Sequence, residues 1–199
     1  MLRHPMLRFP RTVLLCTAAV CLMLVAATAR QSKSYVIDPV HSAIVFKIEW
    51  GGMSPFYGAF EQMSGSLEYA GSPETLSIEM TVPVASIDSQ NDQRDQHLKS
   101  PDYFNAREFP EITFVSTGVT ANDDGTHTLA GDLTLLGVTK PIEATIHELN
   151  AGPRRGGEGV GGDISFTIKR TDFGMTSGVA EGSLGDEVTI MVGLQSVAQ

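Results

Sequence analysis

From Ser34 onward the chain alternates apolar and polar residues at period two almost throughout. Ile44, Phe46, Ile48 and Trp50 alternate with Val45, Lys47 and Glu49, and Leu76, Ile78, Met80 and Val82 alternate with Ser77, Glu79 and Thr81. Successive side chains of an extended strand point to opposite faces, so each run predicts a strand with one apolar and one wet face. The pattern returns at Leu129, Leu133 and Leu135, at Ile142, Ala144 and Ile146, at Ile164, Phe166 and Ile168, and at Val188, Ile190, Val192 and Leu194. With further strands near Gly58–Tyr69 and Ile112–Thr120, about eight are predicted. Ala70-Gly71-Ser72-Pro73, Asn122-Asp123-Asp124-Gly125 and the Gly-rich stretch Ala151–Gly162 read as turns or loops between antiparallel neighbours. The fold class is therefore all-β. Eight such strands can pack as a two-sheet sandwich or close into a barrel, and periodicity does not choose between them.

One segment breaks the alternation, between the third and fourth strands. Asp92–Pro110 (DQRDQHLKSPDYFNAREFP) has the look of short helix. Ser89 and Asp92 resemble a capping box, Asp92–Lys99 follows as a helix with Asp95 and Lys99 at i,i+4, and Ser100-Pro101 starts a second turn. Its charges are expected to face water. Its apolar members, Leu98, Tyr103, Phe104 and Phe109, need a surface to pack on, and the nearest is a barrel mouth or a sheet edge. The segment is either a packed helical connection or a cap that gates a cavity.

The first 29 residues stand apart. Arg3, Arg8 and Arg11 precede an apolar run from Val13 to Ala27, and Ala27-Thr28-Ala29 has the small-x-small form of a signal-peptidase site. The run is shorter than the roughly 20 residues a membrane-spanning helix needs. A signal peptide over 1–29 and a single domain over 30–199 are expected, with export to the periplasm. Cleavage would remove both cysteines, Cys16 and Cys21, leaving no disulfide, thiol nucleophile or thiolate ligand. It would also take the formal charge from -9 to -12, since three arginines and no acid leave. So acidic a chain is a poor binder of nucleic acid.

Motifs of catalysis are thin. Gly157-Glu158-Gly159-Val160-Gly161-Gly162 matches G-x-G-x-x-G but leads into a strand, where a dinucleotide fold needs a helix. His41, His97, His127 and His147 stand at no metal-pair spacing, no G-x-S-x-G is present, and Glu61, Glu68 and Glu79 fall on wet strand faces. No metal, cofactor or catalytic residue is predicted.

The order of short motifs is more specific. Tyr35–Ser42 (YVIDPVHS), Gly58-Ala59-Phe60, Ser86-Ile87-Asp88 followed by Arg94–Leu98, Phe109–Phe114 (FPEITF), Gly131–Leu135 with Gly137–Pro141, and Arg170–Met175 (RTDFGM) together resemble the YceI-like lipid/polyisoprenoid-binding family across nearly the whole domain. Glu49-Trp50 departs from a histidine common there, and Ser89 from a threonine. The resemblance implies a lipocalin-like eight-stranded antiparallel barrel, capped by a short helix between strands 3 and 4, holding a long isoprenoid. It implies a periplasmic carrier and no enzyme. The rival readings are a stress-response interaction module with a plugged barrel, and an isoprenoid-modifying enzyme using His97 with Asp95.

Burial of apolar surface contributes about 0.8 kcal/mol per CH₂, so an isoprene unit is worth on the order of 2–3 kcal/mol. Lost freedom costs about 4–15 kcal/mol, so several units must be covered at once. Inward candidates for the tail are Phe46, Ile48, Trp50, Met80 and Phe104, with Phe114, Leu133, Ile146 and Phe166 beyond them. Arg94, His97 and Arg170 are candidates for a polar head group such as a quinone or a polyprenyl phosphate. Expected partners are the isoprenoid lipid, a membrane met transiently and a second copy in a homodimer.

Overall fold

The computed structural model describes residues 30–199; the expected signal peptide, 1–29, lies outside them. Its strands are β1 (Lys33–Ile37), β2 (Ala43–Trp50), β3 (Ser54–Phe60), β4 (Ser64–Tyr69), β5 (Ser77–Pro83) and β6 (Ile87–Asp88). After a helix, α1 (Asp92–Leu98), come β7 (Glu111–Ala121), β8 (His127–Leu135), β9 (Val138–Arg154), β10 (Gly157–Lys169) and β11 (Leu184–Ala198). All neighbours are antiparallel. The order β1-β4-β5-β7-β8-β9-β10-β11 returns on itself through β1 pairing with β11. The closed ring has eight strands, as expected from the alternation, and closure settles the choice in favour of a barrel.

The remaining strands extend three of those walls. β2 runs along β11 beyond β1, β3 pairs with β2 as β4 does with β1, and β6 pairs with β3 as β5 does with β4. The breaks, at 38–42, 61–63 and 84–86, lie side by side: the Glu61 amide donates to Ser86 O at 3.0 Å. The single strand expected over Gly58–Tyr69 is thus two. Phe60 and Met63 are both buried although three residues apart, so the inward face changes phase there, which a continuous strand cannot do.

The Gly-rich stretch Ala151–Gly162 is not a loop. It is paired strand on both sides of a turn at Arg155-Gly156, with Gly159 opposite Gly152 and Gly161 opposite Asn150. A Cβ on Gly159 would lie 2.6 Å from Ser196 O, and one on Gly162 would lie 2.6 Å from Glu148 O. These glycines permit close approach of neighbouring backbones. They mimic loop chemistry for that reason.

One half of the barrel is solid. Tyr35, Ile37, Met63, Leu67, Leu76, Val119, Ile146, Val160 and Leu194 belong to one buried cluster that fills the end formed by β1, β4 and the far halves of β7 to β11. The other half, walled by β2 and β3, is hollow.

Candidate functional site: an apolar lumen with a polar rim

The hollow half holds a cavity of about 220 Å³. Ile44, Phe46 and Ile48 of β2, Phe56 and Phe60 of β3, Ile78, Met80 and Val82 of β5, and Ile112 and Phe114 of β7 line one side. Leu129, Leu133 and Leu135 of β8, Ile142 and Ala144 of β9, Ile164, Phe166 and Ile168 of β10, and Val188, Ile190 and Val192 of β11 line the other. These are the period-two positions of each strand, turned inward by the pleat. Two phenylalanines sit against glycines: a Cβ on Gly58 would lie 2.3 Å from Phe46 Cζ, and one on Gly131 would lie 2.3 Å from Phe114 Cζ. The missing side chains make room for those rings.

Polar groups occur at one end. Helix α1 and the turns that follow it, through Phe104, close over the mouth. Leu98, Tyr103 and Phe104 line the cavity, and Phe104 meets Phe60 edge-on with centroids 5.7 Å apart. Phe60 in turn lies 6.0 Å from Phe46, so an aromatic row crosses the lumen. Phe109 packs outside, against Gly137 in the β8–β9 turn.

The cap is built differently from the expected capping box. Asn91, not Ser89, is the N-cap, its Oδ1 accepting the Arg94 amide at 2.9 Å. Ser89 is fully buried and donates its amide and hydroxyl to Asp95 Oδ1, at 2.8 and 2.5 Å. Asp95 is therefore buried and does not pair with Lys99.

Arg94 donates Nε to Ser89 Oγ at 2.8 Å and also bonds the Ser89 carbonyl, while its guanidinium lies 4.4 Å from the centroid of Phe56. His97 stands at the rim, its Nε2 3.3 Å from Asp102 and its ring edge-on to Tyr103 at 5.0 Å. The His97–Asp95 pair that the rival enzyme reading uses is not made: Asp95 accepts from Ser89, and His97 meets Asp102. Ser177 ties the β10–β11 connection to the cap, donating to Asp102 O at 2.7 Å.

Arg170 is 2% exposed. Nε donates to Gly185 O at 2.7 Å, Nη1 to Met175 O at 3.3 Å and Nη2 to Leu184 O at 3.2 Å. No carboxylate bonds it; Asp186 instead accepts the amide and hydroxyl of Thr171. Burial holds the guanidinium below its ordinary pKa, opposed by Tyr103 and then by Asp186. The side chain pins the two ends of the β10–β11 connection where they frame the mouth.

Eleven of the twelve expected ligand residues line this cavity: Phe46, Ile48, Trp50, Met80, Phe104, Phe114, Leu133, Phe166, Arg94, His97 and Arg170. Ile146 does not. It points inward, but two residues below Ala144, within the solid half. Phe56 and Ile190 also line the lumen, each two residues along its strand from Gly58 or Val188, and Tyr103 lines it as one of the cap's apolar members that need a surface to pack on. Among the described residues no cluster of three or more metal-ligating side chains occurs.

A closed eight-stranded antiparallel barrel with an apolar lumen and a helical cap defines a lipocalin-like class. Within it the chain belongs to the YceI-like family, whose domain model matches residues 35–196. It is 33% identical over 184 residues to a UPF0312 protein of Shewanella putrefaciens, covering 89% of this chain and 95% of that one. Burkholderia cenocepacia BcnA has a similar crystal structure, at TM-score 0.69 and 24% identity over 80% of this chain and 98% of that one. A polyisoprenoid-binding domain from Saccharophagus degradans, implicated in plant cell wall breakdown, superposes at TM-score 0.66 with 17% identity, covering 84% and 99%. At these identities the two structures speak to fold.

Proposed function

We propose that the protein is a periplasmic carrier that sequesters the tail of a long-chain isoprenoid lipid in its lumen and does no covalent chemistry. The observation that carries this reading is the distribution of polarity: a deep wall of aliphatic and aromatic side chains, blind at one end, with Arg94, His97, Tyr103 and Arg170 confined to the other. Apolar pockets with a few convergent polar groups hold a tail by burial and orient a head by hydrogen bonds. The Saccharophagus domain, a polyisoprenoid binder by description, supports the ligand class. The export signal read at 1–29 supports the compartment.

Of the rim cations, Arg94 and His97 are better placed for a head group than Arg170, whose three nitrogens are engaged by carbonyls. The test is native mass spectrometry of the mature protein from its own envelope fraction, followed by organic extraction. A stoichiometric isoprenoid is expected. A mass that stays apo after addition of polyprenyl phosphates and isoprenoid quinones would defeat the proposal and favour a plugged-barrel interaction module.

A further inference from the structure

The β2–β3 hairpin ends in an exposed apolar tip that reaches the lumen only through Trp50. Residues 50–60 contain no charged side chain, in a chain of which 19% is charged. At the tip, the Met53 amide donates to Trp50 O at 3.2 Å around Gly51 and Gly52, both at positive φ, a conformation that glycine adopts without strain. Gly51 also donates to Ser183 O at 3.0 Å, which fixes the tip to the β10–β11 connection beside the mouth. Trp50, Met53 and Tyr57 are 53%, 92% and 51% exposed. Trp50 and Tyr57 stand on opposite faces of the hairpin, Tyr57 across from Lys47, with Met53 at the turn, so the end of the hairpin presents large apolar side chains to water on both faces, and such exposure marks a contact.

We infer that this tip is a membrane-docking device: Trp50, Met53 and Tyr57 enter the headgroup layer of a bilayer and set the lumen mouth against it. This rests on the carrier reading, because a ligand that lives in a bilayer must cross from there into the lumen, and Trp50 belongs both to the tip and to the rim. Tryptophan and tyrosine prefer the membrane–water interface, where an apolar ring meets a wet edge. A second copy of the chain is a poorer occupant. A narrow hairpin tip offers far less than the roughly 800 Å² per partner of a stable interface. The net charge, -9 for the full chain and -12 after the expected cleavage, gives no attraction to anionic lipid, so the contact is apolar and only weakly dependent on salt.

Trp50 is the only tryptophan, so its fluorescence reads the contact directly. The mature protein is mixed with phosphatidylcholine vesicles free of isoprenoid, and emission, quenching by bromine-labelled acyl chains and co-flotation are followed. A blue shift with quenching and flotation is expected in the wild type. Met53→Asp, a change at a side chain that lines no part of the lumen, should weaken vesicle partition by about tenfold or more. Wild-type protein that neither shifts nor floats overturns the inference, as does a Met53→Asp variant that floats equally well. Uptake of a short prenol from solution is measured in parallel. Uptake without flotation overturns docking and leaves the carrier reading standing, whereas flotation without uptake supports docking and removes the carrier reading.

Discussion

At the scale of single residues, two charged groups hold the barrel's irregular points. Asp38, in the break between β1 and β2, accepts Arg154 Nη2 at 2.8 Å, His41 Nδ1 at 2.8 Å and the Val40 amide at 3.1 Å. Arg154 and then His41 hold its carboxyl at a pKa of about 2, below the ordinary 3.8. A carboxyl whose pKa falls on folding adds stability above its unfolded value and loses it as pH drops through the folded one. The contribution should therefore be complete above about pH 4 and vanish towards about pH 2. Thermal unfolding of the wild type and Asp38→Asn over that range checks this: the wild type's advantage must shrink to nothing as acid is added, and a constant gap would refute the assignment. Arg170 is a second anchor. Arg170→Met leaves three carbonyls without their donor, at a cost of about 2–4 kcal/mol after water enters the rim. For a domain of this size that corresponds to a Tm lower by about 5–15 °C. An unchanged Tm would show that Arg170 does not brace the mouth.

At the scale of elements, the lumen depends on rings fitted to glycines. Gly58 faces Phe46 across the β2–β3 ladder, and Gly58→Ala would push a methyl into the ring. Overpacking of this kind costs about 1–3 kcal/mol. Adding Phe46→Leu should recover part of that loss, because the two changes touch. Denaturant unfolding of the two single variants and the double variant measures the coupling; strict additivity would mean that the ring moves aside freely. The element scale also shows what was legible in advance. Period two reveals a strand and its inward face without any partner, so Phe46, Met80, Leu133 and Phe166 were assigned from sequence. Depth along the barrel axis was not legible, because Ala144 in the lumen and Ile146 in the solid half share one face of β9. Glycines were misread where they admit neighbouring backbone, as at Gly159 and Gly162, since composition does not distinguish a turn from a close approach. The helix itself stands where it is expected, and only its cap differs: Asn91 and Ser89 are both good caps by type, and the buried Asp95 carboxylate, which takes up Ser89, decides between them.

At the scale of the whole molecule, the solid half and the hollow half divide two tasks. The solid half supplies the core that lets the barrel fold, so the hollow half can leave apolar walls without side-chain partners. A ligand that fills the lumen then stabilises the native state by mass action, in proportion to ln(1 + [L]/Kd). At about 100 times Kd the gain is about 2.7 kcal/mol, or a Tm rise of about 5–10 °C for a domain of this length. The rise should grow with the number of isoprene units until the lumen is filled and then level off, since each buried CH₂ contributes about 0.8 kcal/mol and none does so beyond the mouth. Scanning unfolding of the mature protein against prenols of increasing length gives the curve directly. The plateau reports how many units the lumen covers, and so how far the Phe46–Phe60–Phe104 row gives way. A flat response at every length would mean that the row stays closed and the lumen does not admit these chains.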